Sequence, residues 1–399
     1  MTDFMFEPYW IVLLLLLGLV YLVVLVKIRR GISRLPTTPA ESVQNPFQPV
    51  VSVIIPCRNE ARHIAGALDD LAQQDYPAHL LQIIVVDDRS VDETGRIAES
   101  FIGRIADLRV LRVLTCPPDI SPKKHAIKKG MEIAEGEIVI TTDGDCRFQK
   151  GWVRSLIDSF QSDVGVVTGL TIFDRGCPEP FWQRMQQLDY LSHSFIAAGA
   201  IGAGCAFNGN GSNLAIRRRA FAEAGGYSEF QNVITGDDTL LLQRLRRQGK
   251  WRIHFCAKPE SIVRSWPAET PAEVLQQRLR WGSGGLSYTS TVKSFAIMVF
   301  ILFLALLLSP GLWIAGVISA FWWLALALKV LADVLVMQKG FQVFNVKRDW
   351  WAFLTMEVIH IPAILLFSVG GHLFGFRWKG ERFRRRRNSP AAFNKAEAV

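Results

Sequence analysis

The sequence predicts an α/β domain built on a mostly parallel sheet and joined to apolar helices at both ends. Between residues 50 and 290 short apolar runs alternate with stretches of helical spacing, a pattern that favours parallel strands covered by helices on both faces. Uncharged stretches lie toward each end of the chain, with basic residues crowded beside them. The 399 residues leave room for a catalytic domain with a full core as well as these segments.

The first element is PYWIVLLLLLGLVYLVVLV, residues 8–26, which carries no charge and reaches the roughly 20 residues needed to cross hydrocarbon. A secretory signal begins with basic residues and ends in small ones. This stretch comes after Asp3 and Glu7 and runs into Lys27, Arg29 and Arg30. It reads as an uncleaved anchor over residues 1–30, and the positive-inside rule places the chain beyond Arg30 in the cytoplasm. Residues 31–49 hold Pro36, Pro39, Pro46 and Pro49 among polar residues and read as a linker.

The domain expected over 50–290 has VVSVII (50–55), IIVVD (83–87), RVLRVL (109–114) and EIVITT (137–142) as strands, with EARHIAGALDDLAQQ as the first helix between them. Ligands collect at the carboxyl ends of strands in such sheets. Three of these ends are polar: PCRNE (56–60) with Asn59 and Glu60, Asp87-Asp88, and Asp143-Gly144-Asp145. Asn59 and Asp88 also suit helix caps, and D-G-D also suits a surface turn. As ligands, Asp143 and Asp145 offer the oxygen donors that Mg2+ or Mn2+ accepts together with substrate phosphates and water. Such an ion would replace a phosphate loop, since neither G-x-x-x-x-G-K-[ST] nor a helix-opening G-x-G-x-x-G is present.

SPKKHAIKKG (121–130) sets Lys123 and Lys124 just before a helix, where they either pair with phosphate or stay solvated. TGDDTLLLQRLRRQG (235–249) is a helix with acids in its first turn and Gly249 as its stop. Asp237 and Asp238 either cap it or supply a general base that the helix dipole keeps ionised. TPAEVLQQRLRW (270–281) opens with a capping box of Thr270 and Glu273 around Pro271. Gln277, Arg280 and Trp281 then share one face near the helix end. That face suits a diphosphate and a flat sugar ring, or equally the headgroups of a membrane surface.

Ser294 to Leu328 is uncharged with LSPG (308–311) in its middle, and reads as two spans joined by a tight turn there. Trp350 to Phe376 contains Glu357, His360 and Pro362. It reads as a re-entrant or interfacial element, because a third full crossing would carry the basic tail RWKGERFRRRR out of the cytoplasm. Membrane segments are therefore expected over 291–376 and a basic cytoplasmic tail over 377–399. Glu357 and His360 are ionisable candidates within them, either functional or exposed to headgroups. The net charge of +9 suits an anionic leaflet, and with no recognised nucleic-acid motif beside it, nucleic acid is not an expected partner. Six cysteines without a C-x-x-C pair or zinc spacing argue against a disulfide framework or structural metal.

In this order, VVSVIIPCRNE, IIVVDDRSVDET, TTDGDC, NGNGSNLAIRRRAF, TGDD and QQRLRW cover about residues 50 to 285. The set resembles the family-2 glycosyltransferases of GT-A fold. It most resembles the membrane-integrated Q-x-x-R-W members, such as polysaccharide synthases and ceramide-glucosyltransferase-like enzymes. The resemblance implies an inverting hexosyltransferase that uses a UDP-sugar, Mg2+ or Mn2+ and a membrane-delivered acceptor. That acceptor is a lipid or, as the alternative, a growing glycan.

The resemblance also implies roles. Asp87 and Asp88 recognise uridine, Lys123 lies near the nucleotide, and Asp145, assisted by Asp143, holds the metal on the diphosphate. Asp238 is the base, Asn213 and its glycine-rich loop line the acceptor side, and Gln277, Arg280 and Trp281 close over diphosphate and acceptor. Glu60 joins the substrate-binding set, as does Asp237, which stands where family members commonly carry glutamate. The expected location is the bacterial inner membrane, with the catalytic domain cytoplasmic. A membrane scaffold or transporter with a degenerate nucleotide-binding domain is the reading from another class. Transporters place polar sites within several spans, whereas these acidic motifs lie between the apolar segments.

Overall fold

The structure, a computed structural model, describes residues 6–36, 47–174, 179–385 and 393–395. Helix α1 (Phe6–Ser33) comes first, then β1 (Val51–Cys57), α2 (Ile64–Ala72), β2 (Leu81–Asp88), α3 (Thr94–Glu99) and β3 (Asp107–Val113). The chain continues through α4 (Pro122–Ile133), β4 (Ile138–Thr141), α5 (Trp152–Ile157), β5 (Val164–Gly169), β6 (Thr171–Phe173) and α6 (Phe181–Gly202). Next are β7 (Leu214–Arg217), α7 (Arg218–Glu223), α8 (Thr239–Gln248), β8 (Arg252–Cys256), β9 (Val263–Ser265) and α9 (Pro271–Gly282). Three long helices, α10 (Ser290–Ile314), α11 (Trp322–Val343) and α12 (Trp350–Leu373), precede the short strands β10 (Phe376–Trp378), β11 (Glu381–Arg385) and β12 (Phe393–Lys395).

Seven strands form one sheet in the order β3-β2-β1-β4-β7-β5-β8. All neighbours are parallel except β7, which runs against β4 and β5. The four runs expected as strands are β1, β2, β3 and β4. The central strands are largely apolar because both faces are covered, and the buried Ser52 of β1 and Gln82 of β2 bond each other (2.6 Å). Val53, Ile55, Ile83 and Val85 point into a layer with Ile64 and Leu68 of α2 and Trp152 of α5. Ile54, Ile84, Val86 and Val139 point the other way, toward Ile127 of α4 and Phe195 of α6.

That second layer continues without a break into the long helices through Ile28 and Ile32 of α1 and Phe341 of α11. The first helix is thus packed onto the sheet domain through α6. A Cβ added to Gly31 of α1 would lie 1.9 Å from the Gly199 carbonyl oxygen of α6, so only glycine admits this crossing. The linker expected over 31–49 falls partly on residues 37–46, outside the described residues.

Helices α1 and α11 run side by side in the same direction, with α10 antiparallel. Glu7 accepts from Ser319 N (2.9 Å), Tyr21 donates to Asp333 (2.7 Å), and Trp10 donates to Ser309 of α10 (3.2 Å). By length and composition α1, α10 and α12 are apolar enough to cross a membrane. Helix α11 carries Lys329, Asp333 and Lys339 and falls outside that description. Lys329 is fully buried between Asp333 (3.0 Å) and Glu357 of α12 (2.5 Å), with His360 at 3.5 Å. A buried ammonium persists only where such partners surround it.

The turn expected at LSPG is not there. Helix α10 runs through Pro310 to Ile314, and the reversal falls at residues 315–321. Proline removes one backbone bond, whereas a turn in apolar surroundings would strand several. The stop is Gly316, at φ 70°, whose N–H bonds Trp313 while that of Val317 bonds Leu312.

Helix α12 is unbroken, and both its ends are fastened to the sheet domain. Asp349, its N-cap, binds Arg184 of α6 through two bonds of 2.6 and 2.8 Å. Near its other end a Cβ on Gly371 would lie 2.4 Å from the Leu279 carbonyl oxygen of α9.

Candidate active site

Parallel strands bring the carboxyl ends of β1, β2 and β4 to one rim, and the reversed β7 brings its preceding loop there too. The N-terminus of α8 and the face of α9 close the opposite side of a crevice of about 1590 Å3. Glu60, Asp88, Lys123, Asp143 and Asp145 line it from the sheet side. Asp237, Asp238, Gln277, Arg280 and Trp281 line it from the helices.

Lys123 sits at the first turn of α4 and reaches Asp143 (2.7 Å) and Asp237 (3.5 Å), joining the strand motif to the helix motif. Burial alone would lower its pKa, but the carboxylates of Asp143 and Asp237 outweigh it and hold the ammonium above its ordinary value. Its neighbour Lys124 has a structural task, donating into the carbonyls of Val233 and Thr235 (2.9 Å for the latter).

Asp238 caps α8. One oxygen accepts Thr239 N (2.6 Å) and the other accepts Gly211 N from the loop before β7 (2.8 Å). Burial, reinforced by the Asp237 carboxylate, pushes Asp238 up to about 6. Asp237 goes the other way, because Lys123 and Lys124 overcome its burial and hold it below the usual carboxylate range. Two adjacent carboxylates with separated affinities for protons suit a division between a base and its support.

Asp145 accepts a bond from Ser265 (3.0 Å), and burial together with the nearby Asp143 raises its pKa. Crowded carboxylates of this kind are relieved by a cation. Among the described residues there is no group of three His, Cys, Asp or Glu able to hold a metal alone. The donor set therefore fits a hard divalent ion that brings water and substrate phosphates as further ligands.

The Arg280 Nε–H is buried and has no acceptor among the described residues. Burial lowers the pKa of this guanidinium, against the pull of Asp237 and Asp143. The Gln277 Oε1 is likewise buried without a partner. Orphaned donors and acceptors on one helix face of a crevice mark a place for a ligand. Trp281 packs against Tyr190 (6.0 Å between rings) and the edge of His193 (6.1 Å), with the Arg278 guanidinium 4.2 Å from its ring centre.

Two expected residues lie elsewhere. Asn213 does not line the crevice. It is fully buried, donating to Leu170 O (3.0 Å) and Ser261 O (2.8 Å) and accepting from Trp152 Nε1 (3.1 Å). In β-structure successive side chains alternate, so this amide turns inward while its loop, Asn208 to Ser212, faces the crevice. Asp87 also turns away, accepting Ser90 N (3.3 Å) beside Gly95, whose missing side chain makes room for it. Asp88 does face the crevice, held by Arg89 through bonds of 2.8 and 2.9 Å.

The segment expected as a basic tail forms part of the site. Strands β10 and β11 make a hairpin whose turn, Lys379-Gly380, has φ of 48° and 79°, the geometry of a two-residue primed turn. Lys379 pairs with Glu60, Glu381 pairs with Arg58 (2.8 Å) and Arg89 (3.2 Å), and Trp378 lies 5.4 Å from the Arg280 guanidinium. Burial pushes Glu60 up to about 7 despite Lys379. A lysine-glycine pair between aromatic residues was the sequence signal for this hairpin. The wall formed by α6, with Asp189, Tyr190 and His193 toward α9, had no comparable signal.

The family model described as glycosyltransferase like family 2 matches residues 48–284. Over 243 residues the chain is 28% identical to the beta-monoglucosyldiacylglycerol synthase of Nostoc sp., covering 59% of this chain and 49% of that one. Over 351 residues it is 24% identical to the protein of the same name from Synechocystis sp., covering 83% and 70%. The chain thus spans about half the length of the first of these relatives. Among solved structures, the mannosyltransferase PcManGT of Pyrobaculum calidifontis, in complex with GDP-Man and Mn2+, superposes with a TM-score of 0.55 at 18% identity, covering 90% of this chain and 99% of that one. That likeness shows a shared GT-A fold.

Proposed function

The chain belongs to glycosyltransferase-like family 2, and from that premise we propose that it moves a sugar from a UDP-sugar to a membrane lipid, inverting the anomeric carbon. The observation that carries this reading is the polarity of the crevice. One end holds Asp88, Asp143, Asp145 and Arg280; the other is walled by Tyr288, Ala296 of α10 and Ile364 of α12, on helices apolar enough to enter a membrane. At about 1590 Å3 it exceeds the roughly 300–1,000 Å3 of a single small-molecule site and has room for donor and acceptor together.

The donor diphosphate meets Arg280 and Lys379, and the unpartnered Arg280 Nε–H gains an acceptor there. A divalent ion, Mg2+ or Mn2+, would be held by Asp145 and Asp143 and would supply neutralisation of the diphosphate charge. Asp238 accepts the proton of the attacking acceptor oxygen, and the carboxylate of Asp237, paired with Lys123, raises the proton affinity of Asp238. Trp281 offers a flat face for the sugar or the acceptor head.

The membrane topology rests on packing. Helices α1, α10 and α11 cross, with the α11 charges turned inward onto Tyr21 and Glu357. Helix α12 lies along the domain, since both its ends return to it. The sheet domain and the hairpin then share one side, the cytoplasm by the position of Lys27, Arg29 and Arg30.

The test is to incubate membranes holding the full chain with a panel of labelled nucleotide sugars and native lipids. Counts extracted into organic solvent support lipid transfer. Insoluble high-mass product would favour a polymer synthase, and absence of metal-dependent UDP binding by calorimetry would favour a scaffold.

A further inference from the structure

Trp281 stands in the last turn of α9, and the end of that helix is fixed against α12, where a Cβ on Gly282 would lie 2.2 Å from the Phe367 carbonyl oxygen. That contact sets the backbone of Trp281 but leaves its side-chain torsions to its neighbours. The neighbours are Tyr190 (6.0 Å between rings), the edge of His193 (6.1 Å) and the Arg278 guanidinium (4.2 Å from the ring centre). Tyr190 and His193 belong to α6, and Arg278 is tied to the same helix by its pair with Asp189. Helices α6 and α9 both pack on α12, and these side chains bridge the one to the other.

The Arg278–Asp189 pair is buried, with side chains 6% and 12% exposed. Burial alone would raise the Asp189 pKa, but the Arg278 guanidinium outweighs it and holds the carboxylate below its usual range. Asp189 takes only part of the guanidinium, since Nη1 has no hydrogen-bond partner among the described residues. A buried pair of this kind is often no more stabilising than well-packed apolar residues of similar volume. What it adds here is a fixed place for the ring beside it.

Tyr190, the next residue of α6, leads to the base. Its O–H donates to Asn210 Oδ1 (3.3 Å), which also accepts from Ser212 N (3.3 Å). Gly211, between those two, donates its N–H to Asp238 (2.8 Å). Two consecutive residues of α6 are thus tied to the ring on one side and to the base on the other.

We infer that Asp189 is a positioning residue: through Arg278 it sets the Trp281 ring, and with it the group seated on that ring, at the distance from Asp238 that transfer requires. This rests on the roles given to Trp281 and Asp238 in the lipid-transfer reading above and adds the residue that relates them. A misplacement of about 1 Å costs on the order of 100-fold in rate. Donor binding rests on Arg280 and Lys379, so the loss is expected in transfer and not in UDP affinity.

The test replaces the pair by apolar residues, Asp189→Leu together with Arg278→Met, in the full chain in phosphatidylcholine nanodiscs. This double variant is expected to keep its parent's melting temperature, and calorimetry should find its UDP affinity within about twofold of the parent's. With the labelled nucleotide sugar selected by the donor panel and a saturating native lipid extract, the rate of lipid labelling should fall about 10- to 100-fold. The share of donor lost to hydrolysis should rise, because water does not depend on the ring for its place. Combined with Trp281→Ala, the same pair of replacements should cost less than about twofold more, because the ring they release is already gone.

A folded double variant that labels lipid at the parent's rate would overturn the inference, as would a loss of UDP affinity large enough to account for the drop. A further tenfold loss on the Trp281→Ala background would assign Arg278 to the ligand itself, through its free Nη1, and remove the positioning role. Should the double variant not fold, Arg278→Lys decides, since it keeps a charge for Asp189 but not the planar group against the ring. A rate equal to the parent's in that variant overturns the inference, and a lowered rate at unchanged UDP affinity supports it. No labelled lipid from the parent with any donor would bring down the lipid-transfer reading, and this inference with it.

Discussion

Lys379, on the turn of the C-terminal hairpin, reaches across 319 residues of sequence to pair with Glu60 at the carboxyl end of β1. The contact closes one rim of the crevice with a residue whose segment reads in the sequence as a basic tail. It also brings a cation to a rim otherwise crowded by Asp143 and Asp145. Replacing Lys379 by methionine is expected to weaken UDP binding about tenfold, the loss of about 1.4 kcal/mol, while Lys379→Arg stays within about threefold. Isothermal calorimetry measures both, and an unchanged affinity in the methionine variant would separate the hairpin from the donor site.

Asp238→Asn should retain UDP affinity and lose transfer by about 10²- to 10⁴-fold, the usual worth of a positioned base. In the unmodified chain kcat/KM should fall below about pH 6, where Asp238 takes up its proton. The stability effect has the opposite sign. A carboxyl whose folded pKa is raised holds more protons folded than unfolded, so its contribution to stability declines as pH rises from about 4 through about 6. The asparagine variant should therefore melt at a higher temperature than its parent at pH 7 and not at pH 4, which differential scanning fluorimetry reads directly.

Asn213→Ala is a folding mutation. It strands the Ser261 carbonyl and the Trp152 indole N–H in a fully buried spot and takes one of two donors from the Leu170 carbonyl, which keeps Val263 N. With each unsatisfied buried group costing about 1–3 kcal/mol, a large drop in melting temperature is expected. The donor KM of the folded fraction should hardly move. A large KM effect at normal stability would restore Asn213 to the binding site.

Chelation by EDTA should abolish transfer and weaken UDP binding without lowering the melting temperature of the free chain, because the ion arrives with the diphosphate. Asp145→Asn should reproduce the loss at saturating Mn2+. Melting that falls on chelation in the absence of nucleotide would instead indicate a resident structural metal.

Within the bundle, Lys329→Met leaves Asp333 and Glu357 facing each other in a buried setting. Removing one partner of a buried pair costs about 3–5 kcal/mol, so this variant should lose folded yield in detergent. Glu357→Gln keeps the Lys329–Asp333 pair and Tyr21 bond and should be much milder. Fluorescence-detected size exclusion of both variants checks the order, and equal behaviour would contradict it.

The sequence by itself determined the first four strands, the rim where they end, the α8 stop at Gly249 and the Thr270 cap of α9, because each is written in a window of a few residues. It also determined most of the side chains that meet in the crevice, since acids placed after strands in a parallel sheet have one rim to occupy. The inward turn of Asn213, the second arginine of α9 settling on Asp189, the hairpin closing over Glu60 and the partners of Lys329 were decided only by the tertiary structure. A buried polar or charged group takes its role from whichever distant atom satisfies it, and no local pattern names that atom.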